Sequence, residues 1–175
     1  MTRYRAAGDE DAEVIASLHR EAFSASDRGY GGEAELVAML SADSDLVFSH
    51  VAEEDGAIVG HVALSPMRAE GDGNRIRALG LGPVGVSPNR QGRGIGSALI
   101  EAAHGWAREQ GWQMIFLLGD PAYYARFGYL AETAAPFASP YAGPYWQALI
   151  LDERFALPKS GRADYARAFA ALEDE

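Results

Sequence analysis

The spacing of apolar residues predicts a chain that alternates strands and helices. Thr2 to Ala7 reads as a short first strand. After Gly8-Asp9, residues Val14, Ile15, Leu18, Ala22 and Phe23 recur at helical spacing and give a first helix one apolar face, with Asp9 or Asp11 as its cap. Ser24 to Gly32 reads as a loop, and Glu33 to Ala42 as a second helix with Leu36, Val37 and Leu40 inward. The β-rich runs Leu46–Glu53 and Ala57–Arg68 meet around Asp55-Gly56, a strong hairpin signal. Asp72-Gly73-Asn74 marks a further turn, and Ile76 to Val86 the next strand.

Beyond it, Gly94 to Gln110 predicts a helix with Ile95, Leu99, Ala102, Ala103 and Trp106 inward, stopped by Gly111. Gln113 to Leu118 is a strand of the buried type. A helix joins it to the preceding strand, so the pair is expected to be parallel with a right-handed crossover. Pro121 to Phe127 predicts a short helix, with Asp120 as cap, Pro121 at its first position and Gly128 at its end. Ala131 to Gly143 reads as a loop holding two prolines, and Tyr145 to Leu151 as a strand. From Ser160-Gly161 a helix is expected to reach about Leu172, with Tyr165, Phe169 and Leu172 as its stripe. The expected organisation is one domain over residues 1–152 and a helical extension over 153–175, packed on the domain or at a contact between two copies.

Two segments break the pattern. The strand Ile76–Val86 contains Gly80, Gly82, Pro83 and Gly85. Glycine weakens a strand interior and proline removes a ladder donor, so a bulge or splay is expected rather than a regular central strand. The strand then runs into Val86-Ser-Pro-Asn-Arg-Gln-Gly-Arg-Gly-Ile-Gly-Ser-Ala-Leu99, a glycine-rich turn entering a helix. Glycines let backbone N–H groups approach a ligand closely. The unpaired N–H groups and positive dipole end of the helix point at the same place. Gln91, Gly92, Arg93, Gly94, Ile95, Gly96 and Ser97 thus form a candidate anion cradle suited to phosphate, with Arg90 and Arg93 as flanking charge.

The type of phosphate ligand is narrowed by what the loop lacks. A nucleoside-triphosphate loop ends in Gly-Lys-Ser/Thr, and the only lysine is Lys159. The dinucleotide pattern G-x-G-x-x-G fails at the loop, where Ser97 holds the third glycine position. It occurs literally at Gly80-Leu-Gly-Pro-Val-Gly85, but there Val-Ser-Pro follows instead of a helix.

Composition narrows the class further. At 175 residues, 48% of them apolar, the chain fits a domain with its own core. With no cysteine, it has no disulfide, thiol nucleophile or cysteine-zinc site. A net charge of −10 and no basic stripe argue against nucleic acid. No apolar stretch approaches the ~20 residues needed to span a bilayer. The first residues lack the apolar region of a signal peptide, so a cytoplasmic location is the expectation.

The pattern Q-x-x-G-x-G after Val-Ser-Pro closely resembles the acetyl-coenzyme A loop of the GNAT superfamily of N-acetyltransferases. Pro121-Ala-Tyr-Tyr-Ala-Arg-Phe-Gly-Tyr129 resembles the short helix and Leu-Tyr-x-Lys-x-Gly-Phe element after that superfamily's fifth strand. With Leu118-Gly-Asp120 ahead of it, the segment is similar to the bacterial YhbS-like branch. The resemblance is strongest over about residues 46 to 130.

It implies an α+β fold: a mixed, mainly antiparallel sheet flanked by helices, with a splayed parallel strand pair at the coenzyme site. It implies acetyl-CoA as co-substrate and no metal. Pantetheine would lie in the splay, bonded by backbone groups of Val84 and Val86. Backbone N–H near Val86 would polarise the thioester oxygen, and Tyr124 would donate a proton to the sulfur. Tyr123 and Tyr129 read as core aromatics.

The implied reaction is transfer of acetyl to a primary amine of a small molecule or peptide. Transfer of a longer acyl group, transfer to a hydroxyl, and non-catalytic acyl-CoA binding are the alternatives. The base is open among His61, His50, Glu53, Glu54 and a water chain. The expected strand carboxylate is missing from Ile76–Val86. His61 is the first candidate; His50 reads as a core histidine, and Glu53 and Glu54 as solvated. His19 and His104 fall on helices with no visible partner. Asp120 stands where the family often has Asn and reads as a helix cap.

Overall fold

The computed structural model describes residues 1–24 and 32–172, so the expected loop after Ser24 falls, from 25 to 31, outside the described residues. The order is β1 (Arg3–Ala6), α1 (Ala12–Ser24), α2 (Glu33–Ala42), β2 (Phe48–Glu54), β3 (Ala57–Gly71), β4 (Asn74–Val86), α3 (Ile95–Glu109), β5 (Met114–Leu118), α4 (Pro121–Tyr124), α5 (Ala131–Ala134), β6 (Phe137–Ala138), β7 (Trp146–Ile150) and β8 (Gly161–Asp164). The strands form a mixed sheet of order β1-β2-β3-β4-β5-β7, with β8 pairing β3 and β6. The pair β4–β5 is parallel, as the intervening helix requires.

Both long hairpins are set by local chemistry. Asp55 and Gly56 have φ of 52° and 79°, and Asp72 and Gly73 have 48° and 82°. Two successive left-handed residues make the turn whose twist matches the flanking strands, and Asp-Gly is the pair that tolerates it. Strands β3 and β4 run through two compact units. The first comprises Met1–Ser65, Gly82–Ala103 and the stretch from Arg167; the second comprises Pro66–Leu81 and His104–Ala166.

In the first unit, Ile15 of α1, Val37 of α2 and Val51 of β2 form a buried cluster. Val51 is paired with His61 and Ala52 with Gly60. Side chains alternate across a strand, so Val51 and His61 face α1 and α2, while Ala52 and Gly60 face the other way. There α3 packs: a Cβ on Gly60 would lie 3.0 Å from both Ile95 and Leu99. Val14 and Ala102, expected inward, are exposed. Each lies one position off its helix's buried stripe, Ile15-Leu18-Ala22 and Leu99-Ala103 respectively. Arg167 pairs with Asp43 at 2.6 Å and ties the last 3-10 segment to the end of α2.

The second unit is built around Phe116, stacked on Trp146 at 4.9 Å and edge-on to Phe137 at 5.0 Å. Met67, Ile76, Met114, Ala148 and Ala163 complete the same core. Two expectations change here. The loop over Ala131–Gly143 contains α5 and β6. The helix expected from Ser160, within the 153–175 extension, is strand β8 over Gly161–Asp164 followed by a 3-10 helix, Arg167–Leu172. The cause is tertiary. Asp72 accepts from the backbone of Lys159 and Ser160, which delivers the chain to the edge of β3. There Arg68–Gly71 pairs with Gly161–Asp164 and buries Ala163.

Candidate active site

The glycine loop presents an open row of donors. Gln91, Gly92, Arg93 and Gly94 are exposed, and Gly92 and Gly94 have φ of 78° and 83°. Nothing lies within 4 Å of where a side chain would begin on either glycine. The glycines therefore serve the backbone path and leave free space, rather than packing. The first helical bond of α3 runs from Ala98 N to Gly94 O at 3.0 Å. The N–H groups of Ile95, Gly96 and Ser97 thus precede the helical ladder, at the positive end of a 15-residue helix. The Ile95 side chain is buried, so only its backbone is available to a ligand.

Strand β4 leads into this loop with outward-facing backbone. Ser87 N donates to Val59 O of β3 at 2.8 Å. Alternate residues of an antiparallel strand address the same neighbour, so Val84 and Val86 turn their N–H and C=O away from β3. The parallel ladder with β5 joins Ala78, Leu79 and Gly80 to Met114, Ile115 and Phe116, and ends before Val84. The expected departure from regular pairing is present, at the glycine-rich end of the strand. Gln91, expected as a coenzyme contact, donates from Nε2 to Val86 O at 3.1 Å and braces the turn.

The charges here are paired. Glu54 lies 3.3 Å from Arg90 and 3.8 Å from Arg93, and accepts from Thr2 at 3.3 Å. Glu53 accepts from Arg5 at 2.6 Å. Neither glutamate is the solvated residue the sequence suggested. Arg93 keeps more than half of its side chain exposed.

Tyr124 is half-buried, its ring covering Gly119 where any side chain would collide with it. Burial, and secondarily Tyr123, raises its phenol well above the ordinary value. The hydroxyl is therefore a proton donor at neutral pH. Tyr129 is buried, with its hydroxyl 2.8 Å from His104 Nε2, so His104 has a core partner. Asp120 accepts from Ala122 N at 3.0 Å, the cap expected of it.

The histidines form a chain that the sequence did not disclose. His61 is fully buried, with Nδ1 2.8 Å from His19 Nε2 and Nε2 2.8 Å from Ser49 Oγ. Both nitrogens of the expected base are thus engaged inside the protein. Burial, then the nearby His19 and His50, lowers its pKa to about 3. His19 is also fully buried, and burial lowers it to about 4. Its Nδ1 has no hydrogen-bond partner among the described residues. His50, on the other face of β2, stacks on Phe48 at 4.0 Å. His19 was detectable in principle, since it interrupts the apolar stripe Ile15-Leu18-Ala22. Its partner His61 on β3, and Ser49 on β2 beyond it, were not.

Among the described residues, no cluster of His, Asp or Glu could hold a metal ion, and no helix is long and apolar enough to cross a membrane. A family model for the acetyltransferase (GNAT) domain matches residues 3–131. The chain is 33% identical over 120 residues to the uncharacterized N-acetyltransferase YhbS of Escherichia coli K12, covering 68% of each. It is similar to the crystal structure of a GNAT family acetyltransferase from Brucella melitensis in complex with acetyl-CoA: TM-score 0.79, 34% identity, 97% of this chain and 98% of that one. It is also similar to that of E. coli YhbS in complex with CoA: TM-score 0.83, 28% identity, 97% and 92% coverage. Open donors at the mouth of α3, an outward-turned β4 and these likenesses agree: the chain belongs to the GNAT family of acetyltransferases.

Proposed function

We propose that this acetyltransferase moves an acetyl group from acetyl-CoA to the primary amine of a small molecule or peptide, by direct attack while both are bound. The observation that carries the reading is the row of N–H groups from Ile95 to Ser97 ahead of the first helical bond, behind two left-handed glycines facing open space. A diphosphate fits such a cradle because it offers several acceptor oxygens and negative charge to a helix N-terminus. Arg93 adds charge from the exposed side. The acetyl-CoA complex of the Brucella relative supports acetyl-CoA as the ligand here.

The outward amides of Val84 and Val86 suit the amide groups of pantetheine. A backbone N–H near Val86 would then stand where charge develops on the thioester oxygen, and fixed donors there stabilise the tetrahedral intermediate. The nitrogen of the amine bonds to the carbonyl carbon, the C–S bond breaks with its electron pair leaving on sulfur, and Tyr124 gives its phenolic proton to the leaving thiolate; the proton shed by the nitrogen passes to the medium, from which Tyr124 is reprotonated. The amine must be neutral to attack, although a free alkylammonium has a pKa of about 10. Holding two substrates in register supplies much of the acceleration.

The test pairs calorimetry with a thiol-release screen using acetyl-CoA against amino acids, polyamines, aminoglycosides and peptide N-termini. Binding of CoA together with amine-dependent thiol release is expected. Absence of CoA binding overturns the reading. Tight binding with no release from any acceptor identifies a coenzyme-binding domain without transfer activity.

A further inference from the structure

We infer that His19 accepts the proton of the attacking nucleophile at Nδ1, and that His61 and Ser49 position it and carry the proton onward to solvent. The inference rests on the proposed acetyl transfer and assigns the base which that reading lacks. His19 lies on the buried stripe of α1 with its ring against β4. A Cβ on Gly85 would be 2.7 Å from Nδ1 and 3.0 Å from Cε1. The imidazole therefore occupies the place of a side chain at Gly85, between Val84 and Val86, whose amides turn outward. This fully buried ring nitrogen has no partner among the described residues, and an unsatisfied buried acceptor costs free energy unless something is bound there at another stage.

The remainder of the chain gives the proton a path. His19 Nε2 lies 2.8 Å from His61 Nδ1, and His61 Nε2 lies 2.8 Å from Ser49 Oγ; in the tautomer with the proton on Nε2 of each ring, His19 donates to His61 and His61 to Ser49. This tautomer leaves a lone pair on His19 Nδ1. As the C–N bond forms, the proton of the nucleophile moves to His19 Nδ1, and the Nε2 proton of His19 moves to His61 Nδ1. The Nε2 proton of His61 moves to Ser49 Oγ, whose own proton leaves to solvent from a half-buried position on β2. The electron pair of the C–S bond leaves with the thiolate, which takes its proton from Tyr124.

Each imidazole gains one proton and loses one, so neither becomes a buried cation. That matters because burial holds both well below the ordinary histidine value. No carboxylate contacts either ring to stabilise an imidazolium among the contacts described. The base in this fold is a neutral relay.

The test uses His19→Gln, His61→Asn and Ser49→Ala in the full chain. CoA affinity is read by calorimetry, and turnover by thiol release from acetyl-CoA. The acceptor is the fastest amine of the screen, or water in basal hydrolysis if none reacts. His19→Gln keeps a polar contact to His61 but has no group at Nδ1. The expected result is a fall in kcat of about 100-fold or more, with KM for acetyl-CoA and the CoA dissociation constant within about twofold. Ser49→Ala, at the half-buried end, retains the fold and loses a smaller part of kcat. In wild type the dependence of kcat on the deuterium fraction of the solvent is curved, because several protons move together. In His61→Asn it becomes linear, which a purely structural role would not produce. Unchanged kcat in His19→Gln, or a linear dependence already in wild type, overturns the relay. Wild type that fails to bind CoA overturns the transfer reading instead, and the relay with it.

Discussion

Gly94 and Gly111 separate two uses of one backbone conformation. Their φ values are 83° and 80°, and neither has an atom within 4 Å of a would-be Cβ. Alanine at either site is strained by roughly 1–2 kcal/mol in the left-handed region. At Gly111, which ends α3, that cost falls on stability alone. At Gly94 the loop can relax only by re-aiming the N–H groups of Ile95 to Ser97. Gly94→Ala is therefore expected to weaken CoA binding by about tenfold, and Gly111→Ala to leave it unchanged while lowering the melting temperature; calorimetry and thermal unfolding distinguish them. Tyr124→Phe keeps the packing over Gly119 and removes the donor. It is expected to lower kcat without changing CoA affinity, and full turnover with chemistry rate-limiting would remove Tyr124 from the mechanism. The glycine loop was legible in the sequence because its chemistry is local: backbone geometry, a helix start and two arginines within a few residues. The pairing of Glu54 with Arg90 and Arg93, and of His61 with His19 and Ser49, depends on which strands become neighbours, and sequence spacing carries no record of that.

At the scale of elements, the strand that sequence periodicity concealed is the one held by close approach. A Cβ on Gly161 would collide with the carbonyl oxygen of Glu70 and meet Phe137 at 3.1 Å. The oxygen belongs to the β3 backbone and cannot yield without opening the β3–β8 ladder. Gly161→Ala is expected to destabilise the protein by about 1–3 kcal/mol, whereas Arg162→Ala, an exposed position on the same strand, stays within about 0.5 kcal/mol. Denaturant unfolding followed by tryptophan fluorescence checks both, since Trp146 is buried in the core that β8 covers. The long hairpins were readable because Asp-Gly dictates the turn before any tertiary contact forms. Strand β8 was not, because four residues with one buried alanine carry too little alternation to outweigh a nearby helical stripe. Its pairing is decided by Asp72, nearly ninety residues earlier in the chain. Helix α5 was hidden by length in the same way, being a single turn.

For the molecule as a whole, three buried histidines make stability depend on pH in a window above that of its carboxylates. His19, His61 and His104 are held at about 4, 3 and 4, each chiefly by burial, against an ordinary value of 6.5. Below about pH 6.5 the unfolded chain takes up protons at these sites and the folded chain does not. Protonation therefore favours unfolding, and stability falls as pH drops from 6.5 toward 4. The carboxyl of Asp11 acts in the same direction but later. The Arg5 hydrogen bond, aided by Gly8 N–H, holds it at about 2 against 3.8, so its contribution is intact above about pH 4 and is lost as pH falls toward 2. The melting temperature is accordingly expected to be flat between pH 7 and 8 and to decline already between pH 6.5 and 5. Replacing His104 by Gln removes one histidine from this window without touching the His19–His61 pair. Its melting temperature at pH 7 is lower, because the buried His104–Tyr129 hydrogen bond is lost, yet the decline from pH 6.5 to 5 is shallower than in wild type. A wild-type melting temperature constant from pH 7 to 5 would show that these imidazoles titrate alike in the folded and unfolded chain. The same result would remove the physical reason for a relay that keeps both rings of the His19–His61 pair neutral.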